Sequence, residues 1–143
     1  MQIHGYDPIK IQPMREELTE IGFSELLTPE DVDATLSDKG GTTFMVVNSV
    51  CGCAAGAARP AVKLALSDGP GPERLVTVFA GMERDAVERA RSYFVGYEPS
   101  SPQMVLFKDG QLVHMLERHD IEGREAPAIA TDLRGAFQEH CGQ

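Results

Sequence analysis

The sequence is short of several residue types, and each shortage excludes a class of protein. It has no tryptophan, and aromatic residues make up only 6% of its 143 residues. Three cysteines are too few, and odd in number, for a disulfide scaffold. No apolar run approaches the roughly 20 residues that cross a membrane. Lys and Arg total 13 against 22 Asp and Glu, and the net charge of −9 argues against nucleic-acid and anionic-membrane partners.

The amino-terminal segment and the chain length suggest where the protein works. Residues 1–8 lack a basic region followed by an apolar core, so we expect no signal peptide and a cytoplasmic protein. The length predicts a single domain over residues 1–143 with a sizeable core. In a reducing compartment, two thiols separated by one residue indicate redox chemistry or metal binding.

The segment Cys51-Gly52-Cys53 is the most informative part of the chain. It follows the apolar run 42–50 and precedes the small residues 54–58. This order predicts a buried strand, a tight turn and the start of a helix. Partial positive charge at a helix N-terminus favours a thiolate over a thiol, so a reactive cysteine gains from this position.

Apolar patterning predicts the remaining elements. Strands are expected at 43–50, 75–80, 104–107 and 112–116, and helices at 53–66, 83–95 and 127–140. Pro60 should kink its helix, and Asp109-Gly110 should form a hairpin turn. Residues 1–41 are predicted to form a helical extension, in which Thr28 caps the start of a helix. The fold class is therefore α/β, with a four-stranded mixed sheet covered by helices on both faces.

The predicted β-α-β-α-β-β-α order resembles the core of the thioredoxin fold. Redox cysteines in that fold follow the first core strand, where Cys51 and Cys53 lie here. Pro60 resembles the proline inside the thioredoxin active-site helix. Pro102, after Ser101, matches a proline next to the thiols whose peptide bond is cis. The resemblance implies a cis Ser101–Pro102 bond, although only about 5–6% of X–Pro bonds in folded proteins are cis.

A narrower resemblance is to the bacilliredoxins, small bacterial thiol-disulfide proteins with a CxC motif. The block 47–56 carries it, with 58–61, 13–18 and 121–124 as weaker matches. The family implies removal of the small thiol bacillithiol from protein mixed disulfides, with disulfide isomerase activity beside it. The implied partners are S-thiolated or disulfide-bonded client proteins and the small thiol itself. No cofactor is expected.

Thiol-disulfide exchange assigns a role to each residue of the expected site. Cys51, at the exposed turn, is the nucleophile, and Cys53 resolves the adduct that forms on it. Gly52 can adopt backbone angles forbidden to other residues, and the small ring of a Cys51–Cys53 disulfide is strained. Ser101 and Pro102 support the site by shaping a client groove, with a free backbone edge at Ser101 for an extended peptide.

Other interpretations of the same residues stay open. The CxC pair could hold a soft metal or an iron–sulfur centre, completed by Cys141 or a histidine, or the chain could be an inert adaptor. Cys141 reads as an incidental exposed thiol, or else as a third redox cysteine. Arg59 reads as solvated or ion-paired, or else as a source of positive potential towards the thiols or an anionic small thiol. Four histidines show no catalytic spacing and read as surface or hairpin residues: His4, His114, His119 and His140.

Overall fold

The computed structural model describes residues 6–37 and 40–141. His4 and part of the 1–41 extension therefore lie outside the described residues. Within these ranges the elements are α1 (Pro8–Thr19), β1 (Ser24–Glu25), α2 (Pro29–Leu36), β2 (Thr42–Asn48), a π-helical turn (Ala54–Ala58), α3 (Arg59–Leu66), β3 (Arg74–Phe79), α4 (Arg84–Arg91), β4 (Gln103–Lys108), β5 (Gln111–Leu116), α5 (Arg118–Ile121) and α6 (Ala126–Cys141).

The strands form one mixed sheet with the order β1-β3-β2-β4-β5. β2 and β3 are joined through α3 and run parallel, as the helical crossover predicts. β4 pairs antiparallel with both β2 and β5, and the β4–β5 hairpin turns through Asp109 and Gly110 at φ values of 52° and 83°. Positive φ at both positions is typical of a type I′ turn, so the predicted turn is confirmed.

The α/β class and the helices on both faces are confirmed, but the sheet has five strands rather than four. The additional strand, β1, pairs parallel with β3 and lies in the segment predicted to be only helical. Its two residues are too short for alternation to be visible in the sequence. The predicted start of α2 is confirmed, because Thr28 Oγ1 accepts a hydrogen bond from the Asp31 N–H at 3.1 Å.

β2 lies at the centre of the sheet, and all seven of its residues are buried. Phe44 and Val46 face a core cluster with residues of α3 and α6. Met45 and Val47 face a second cluster with residues of α2 and α4. Because successive side chains of a strand point to opposite faces, β2 is held on both sides, and its carboxyl end is firmly positioned.

The kink predicted near Pro60 takes the form of the π-helical turn before α3. The Arg59 N–H donates to the Ala54 carbonyl, five residues back, instead of four. Pro60 has no N–H to donate, so a regular α-helical ladder cannot run through this point.

None of the helices in the described part of the chain combines the length and apolarity needed to cross a membrane.

Candidate active site

The cysteine pair lies where β2 meets the following helix. β2 ends at Asn48, and Ser49 Oγ accepts a hydrogen bond from the Cys51 N–H at 3.0 Å. The Ala54 N–H donates to the Cys51 carbonyl at 2.9 Å, which closes the first helical turn. The predicted sequence of strand, tight turn and helix start is therefore present, and it brings both thiols to the helix N-terminus.

The two sulfur atoms are in close contact. Cys51 Sγ and Cys53 Sγ lie 2.6 Å apart, and both cysteines are free and half-buried. The backbone N–H of Cys53 also points at Cys51 Sγ, at 3.3 Å. The sulfurs are close enough that, when one of them carries a thiol adduct, the other can attack it and displace that thiol.

The surroundings shift the pKa values of the two thiols in opposite directions. The hydrogen bond from the Cys53 thiol lowers the pKa of Cys51 most, and the backbone N–H groups of Cys53 and Ala54 and the charge of Arg118 lower it further. Burial and then the Cys51 thiol raise the pKa of Cys53. Cys51 is therefore the thiol of the pair that loses its proton more readily, which agrees with its predicted role as nucleophile.

This asymmetry makes a testable prediction about alkylation. Iodoacetamide should modify Cys51 faster than Cys53 at neutral pH, because it reacts with the thiolate. In Cys53→Ala, Cys51 loses its main hydrogen-bond donor, so its pKa should rise and its alkylation should reach half-maximal rate at a higher pH. Site-resolved mass spectrometry across a pH series measures both midpoints.

The matched control for the alkylation series is Cys141→Ser, which removes a thiol outside the pair. The Cys51 midpoint should not move in this variant. An unchanged or lower midpoint in Cys53→Ala would show that Cys53 does not supply the stabilising hydrogen bond.

Gly52 lies between the two free thiols. Its φ is outside the left-handed region, and a Cβ built at this position would meet nothing within 4 Å. The use of glycine's wider range of backbone angles belongs to the closed Cys51–Cys53 ring and stays a prediction. The missing side chain leaves open space at this position.

A buried guanidinium holds the loop before Cys51. Arg59 is almost fully buried, and its Nη1 donates to Asn48 Oδ1 at 2.9 Å and to the Ser49 carbonyl at 2.8 Å. Its Nε pairs with Glu17 Oε1 at 2.8 Å. Asn48 Nδ2 donates in turn to the Met14 carbonyl of α1. The solvated or ion-paired interpretation of Arg59 is confirmed in its ion-paired form, and the network fixes the loop that carries Cys51.

The loop containing Ser101 and Pro102 lies beside the pair, and Arg118 links the two. The Ser101–Pro102 peptide bond is cis, as the resemblance implied, and Pro102 is buried. Arg118 Nη1 donates to the Ser101 carbonyl at 3.3 Å, and its charge acts on both Cys51 and Cys53. The backbone edge of Ser101 is therefore not wholly free, contrary to the prediction, because its carbonyl already accepts a hydrogen bond.

Cys141 lies at the other end of the sheet from the pair. Its thiol hydrogen-bonds Thr42, the first residue of β2, whereas Cys51 follows the last. Seven strand residues at about 3.3 Å each put roughly 20 Å between the two ends. Cys141 is half-buried rather than exposed, and burial raises its pKa. It can serve neither as a ligand beside the pair nor as a partner in exchange with it.

No histidine in the described ranges completes a metal site around the cysteines. His114 Nε2 lies 2.9 Å from Asp132 Oδ1, and His140 lies beside Glu139. Among residues 6–37 and 40–141, one group of metal-binding side chains stands close enough to hold an ion, namely Glu117, His119 and Asp120. That group contains neither cysteine, so the CxC pair has no further ligand next to it.

Sequence reasoning missed two contributors to the site, Arg118 and the Glu17–Arg59 pair. The signal for Arg118 was the helix start at α5, where Glu117 and Asp120 form a reciprocal capping box. Glu at the N-cap is unusual, so this pattern was overlooked. Nothing in the sequence indicated the pairing of Glu17 with Arg59, because 42 residues separate them.

Comparison with solved structures supports the fold assignment. The chain superposes on the thioredoxin of Fasciola hepatica with a TM-score of 0.54 at 22% identity, covering 82% of this chain and 99% of that one. For mitochondrial thioredoxin 3 of Saccharomyces cerevisiae the TM-score is 0.53 at 18% identity, with coverages of 86% and 98%. These likenesses show a thioredoxin fold, and in it the chain carries two free thiols at the start of the helix that follows β2.

Sequence comparison identifies the family. The profile of a family described as Disulphide isomerase matches residues 6–141. A bacilliredoxin of Bacillus licheniformis is 53% identical over 132 residues, which is 92% of each chain. A bacilliredoxin of Halalkalibacterium halodurans is 50% identical over 143 residues, with 99% of each chain covered. The chain therefore belongs to the bacilliredoxin family.

Proposed function

We propose that this protein removes bacillithiol from protein mixed disulfides in the cytoplasm. The observation that carries the proposal is the pair of touching sulfurs, in which the pKa of Cys51 is lowered and that of Cys53 is raised. In such a pair the first cysteine can attack as a thiolate, and the second thiol is placed to displace the small thiol that has been transferred to the first. Membership of the bacilliredoxin family supports bacillithiol as the small thiol.

The first step transfers the small thiol to Cys51. The Cys51 thiolate attacks the small-thiol sulfur of the mixed disulfide, and the client leaves as a thiolate. One sulfur–sulfur bond breaks and one forms, so the client cysteine is reduced and Cys51 becomes the carrier of the adduct. The client thiol leaves more readily when its own pKa is low.

The second step releases the small thiol. Cys53 loses its proton to solvent and attacks Cys51 Sγ, which forms the Cys51–Cys53 disulfide and expels the small thiol as a thiolate. The ring closed by one intervening residue is small and strained, which makes its disulfide readily reducible. Two molecules of a low-molecular-weight thiol then restore both protein thiols, the first by forming a mixed disulfide with one cysteine and the second by displacing it, and they leave as their own disulfide.

Disulfide isomerase activity follows from the same pair. If Cys51 attacks a disulfide within a client, the mixed disulfide lasts until a client thiol or Cys53 displaces it. When a client thiol attacks the client sulfur bound to Cys51, a new client disulfide forms and Cys51 leaves as a thiolate. When Cys53 attacks Cys51 Sγ instead, the Cys51–Cys53 disulfide forms and the client leaves reduced, which releases it from an unproductive adduct. The proposed partners are therefore both S-thiolated and wrongly disulfide-bonded client proteins.

A trapping experiment tests the proposed function. Reduced Cys53→Ser protein is mixed with a client that carries bacillithiol, and intact and peptide masses are measured. We expect the client to be released with a free thiol and bacillithiol to remain on Cys51, because no second thiol can displace it. Wild-type protein should instead finish with a Cys51–Cys53 disulfide and free bacillithiol.

The same client carrying glutathione is the matched control for the small thiol. Equal rates with both adducts would contradict bacillithiol as the preferred substrate. A product in which the client itself is bound to Cys51 would contradict the first step, because Cys51 would then have attacked the wrong sulfur.

A further inference from the structure

The loop of residues 98–102, called loop 98–102 below, lies at the same edge of the sheet as the cysteine pair. It leads directly into β4, whose first residue, Gln103, is paired with Val47 of β2. β2 ends at the residue after Val47, and the chain then turns to Cys51. Because paired strands lie side by side, the start of β4 and the end of β2 bring the loop and the thiols together.

The Arg91 side chain, at the end of α4, reaches this loop. Its Nη2 donates to the Ser100 carbonyl at 2.7 Å, and its Nε lies 3.5 Å from Oε1 of the fully buried Gln103. Gln103 Nε2 in turn donates to the Glu98 carbonyl at 3.4 Å. Loop 98–102 is therefore tied to α4 through one of its carbonyl groups and to β4 through another.

The guanidinium of Arg91 is half-buried without an ionic partner. Burial lowers the pKa of Arg91, and no carboxylate in the described part of the chain forms an ion pair with it, although Asp85 and Glu88 line the same cavity of about 540 Å³. A buried cation without an ion pair costs free energy. The polar contacts that Arg91 makes within the described chain lead to loop 98–102, directly or through Gln103, so its charge acts on the loop.

We propose that Arg91 is a positioning residue for client binding, which holds loop 98–102 in place through the Ser100 carbonyl. The partner is an extended peptide segment around the client cysteine, lying against the edge of the loop at Ser101. A backbone edge that is already fixed binds such a segment at a lower entropic cost than a mobile one. This inference rests on the proposed function, because it assumes that a protein client reaches Cys51 along this loop.

The two arginines that contact the loop have different effects on the thiols. Arg118 holds the Ser101 carbonyl at 3.3 Å, and its charge acts on both Cys51 and Cys53. Arg91 is not among the described groups that shift the pKa of either cysteine. Loss of Arg91 should therefore weaken the binding of a peptide and leave the reactivity of Cys51 unchanged.

The test compares a peptide disulfide with a small one. The substrates are the disulfide-linked dimer of a short peptide with a single cysteine, and hydroxyethyl disulfide, which has no peptide backbone. Each is mixed in excess with reduced protein. Cys51 attacks one sulfur and the other half leaves as a thiolate, then Cys53 displaces the half bound to Cys51. The products are both substrate halves as thiols and the Cys51–Cys53 disulfide, which is measured by intact mass after acid quenching.

Arg91→Met should raise the half-saturating concentration of the peptide dimer by about 10- to 100-fold and change its limiting rate by less than about threefold. The rate with hydroxyethyl disulfide should stay within about twofold of wild type, because the Cys51 thiolate is untouched. Arg91→Lys keeps a cationic donor and should recover part of the loss. If Arg91→Met does not fold, Arg91→Gln, which is polar but too short for the same contact, takes its place.

Arg89→Met is the matched control variant, because Arg89 lies on the same helix but is 49% exposed and paired with Asp33. It should leave the reactions of both substrates unaffected. An equal loss for both substrates in Arg91→Met would show that Arg91 acts on the thiols. No loss for either substrate, or the same peptide-specific loss in Arg89→Met, would show that the contact with the loop does not serve client binding. Each of these results overturns the inference.

The same peptide carrying bacillithiol separates this inference from the proposed function. If wild-type protein leaves that adduct intact, while Arg91→Met still weakens the reaction of the peptide dimer alone, the proposed function fails and the inference stands. If wild-type protein removes bacillithiol and Arg91→Met does so with an unchanged half-saturating concentration, the proposed function stands and the inference fails.

Discussion

Replacing Cys51 with serine is expected to lower turnover of a bacillithiolated client at least about a thousandfold. A serine hydroxyl is not ionised near neutral pH, so the hydrogen bonds that stabilise the Cys51 thiolate have no anion to act on. Cys53 is a poor replacement as nucleophile, because burial, the largest cause of its raised pKa, remains in this variant. Client release followed by mass spectrometry or by a thiol reagent measures the rate.

The other two cysteines supply the comparisons for Cys51→Ser. Cys53→Ser should release one client per protein and then stop, since Cys51 keeps the small thiol. Cys141→Ser should stay within about twofold of the wild-type rate, because this thiol lies at the other end of β2. Retained turnover in Cys51→Ser, or a loss in Cys141→Ser as large as that in Cys51→Ser, would require a different assignment of the sulfurs.

Arg59→Met is expected to destabilise the fold by about 3 kcal/mol and to lower the Tm by about 10 °C. Its guanidinium is buried, and its removal leaves the Ser49 carbonyl without a donor and Asn48 Oδ1 with one fewer. The loop before Cys51 loses its anchor at the same time. Thermal and urea unfolding of the reduced protein measure the loss, and the alkylation rate of Cys51 reports on the loop.

Glu17→Gln is the matched change on the other side of the Arg59 network. The Glu17 side chain is 48% exposed, so water can replace most of its interaction with Arg59, and the amide oxygen can still accept a hydrogen bond. We expect a loss below about 1 kcal/mol. Comparable losses for Arg59→Met and Glu17→Gln would show that the surface ion pair, and not the buried contacts with the loop, carries the stability.

Local signals in the sequence located most of the elements. The predicted helix over residues 83–95 ends as α4 at Arg91, where Ser92 Oγ donates to the Arg89 carbonyl, a contact within the same segment. Other features depend on a neighbour in space: spacing along α4 points to Asp85 as the partner of Arg89, whereas Arg89 pairs with Asp33 of α2 at 2.8 Å. A partner on another element cannot be recognised from spacing along one helix.

The candidate site also combines features that follow from the local sequence with features that depend on tertiary contacts. The position of Cys51 and Cys53 after a buried strand follows from apolar runs and small residues, which act over a few positions. The cis bond before Pro102 followed from a family resemblance and not from local physics. The effect of the Arg118 charge on both thiols, the buried Arg59 and the cleft beside Cys53 all depend on contacts between elements that are far apart in the chain.

The sequence alone therefore determined the α/β class, the redox motif and the helix that begins at it, because periodicity, turn residues and motif spacing are local properties. Only the tertiary structure showed what lowers the pKa of Cys51 and raises that of Cys53, that Cys141 lies apart from the pair, and that the charge of Arg118 acts on both thiols. These depend on desolvation, hydrogen bonding and charge in three dimensions, which act through space between residues with no fixed separation in the sequence.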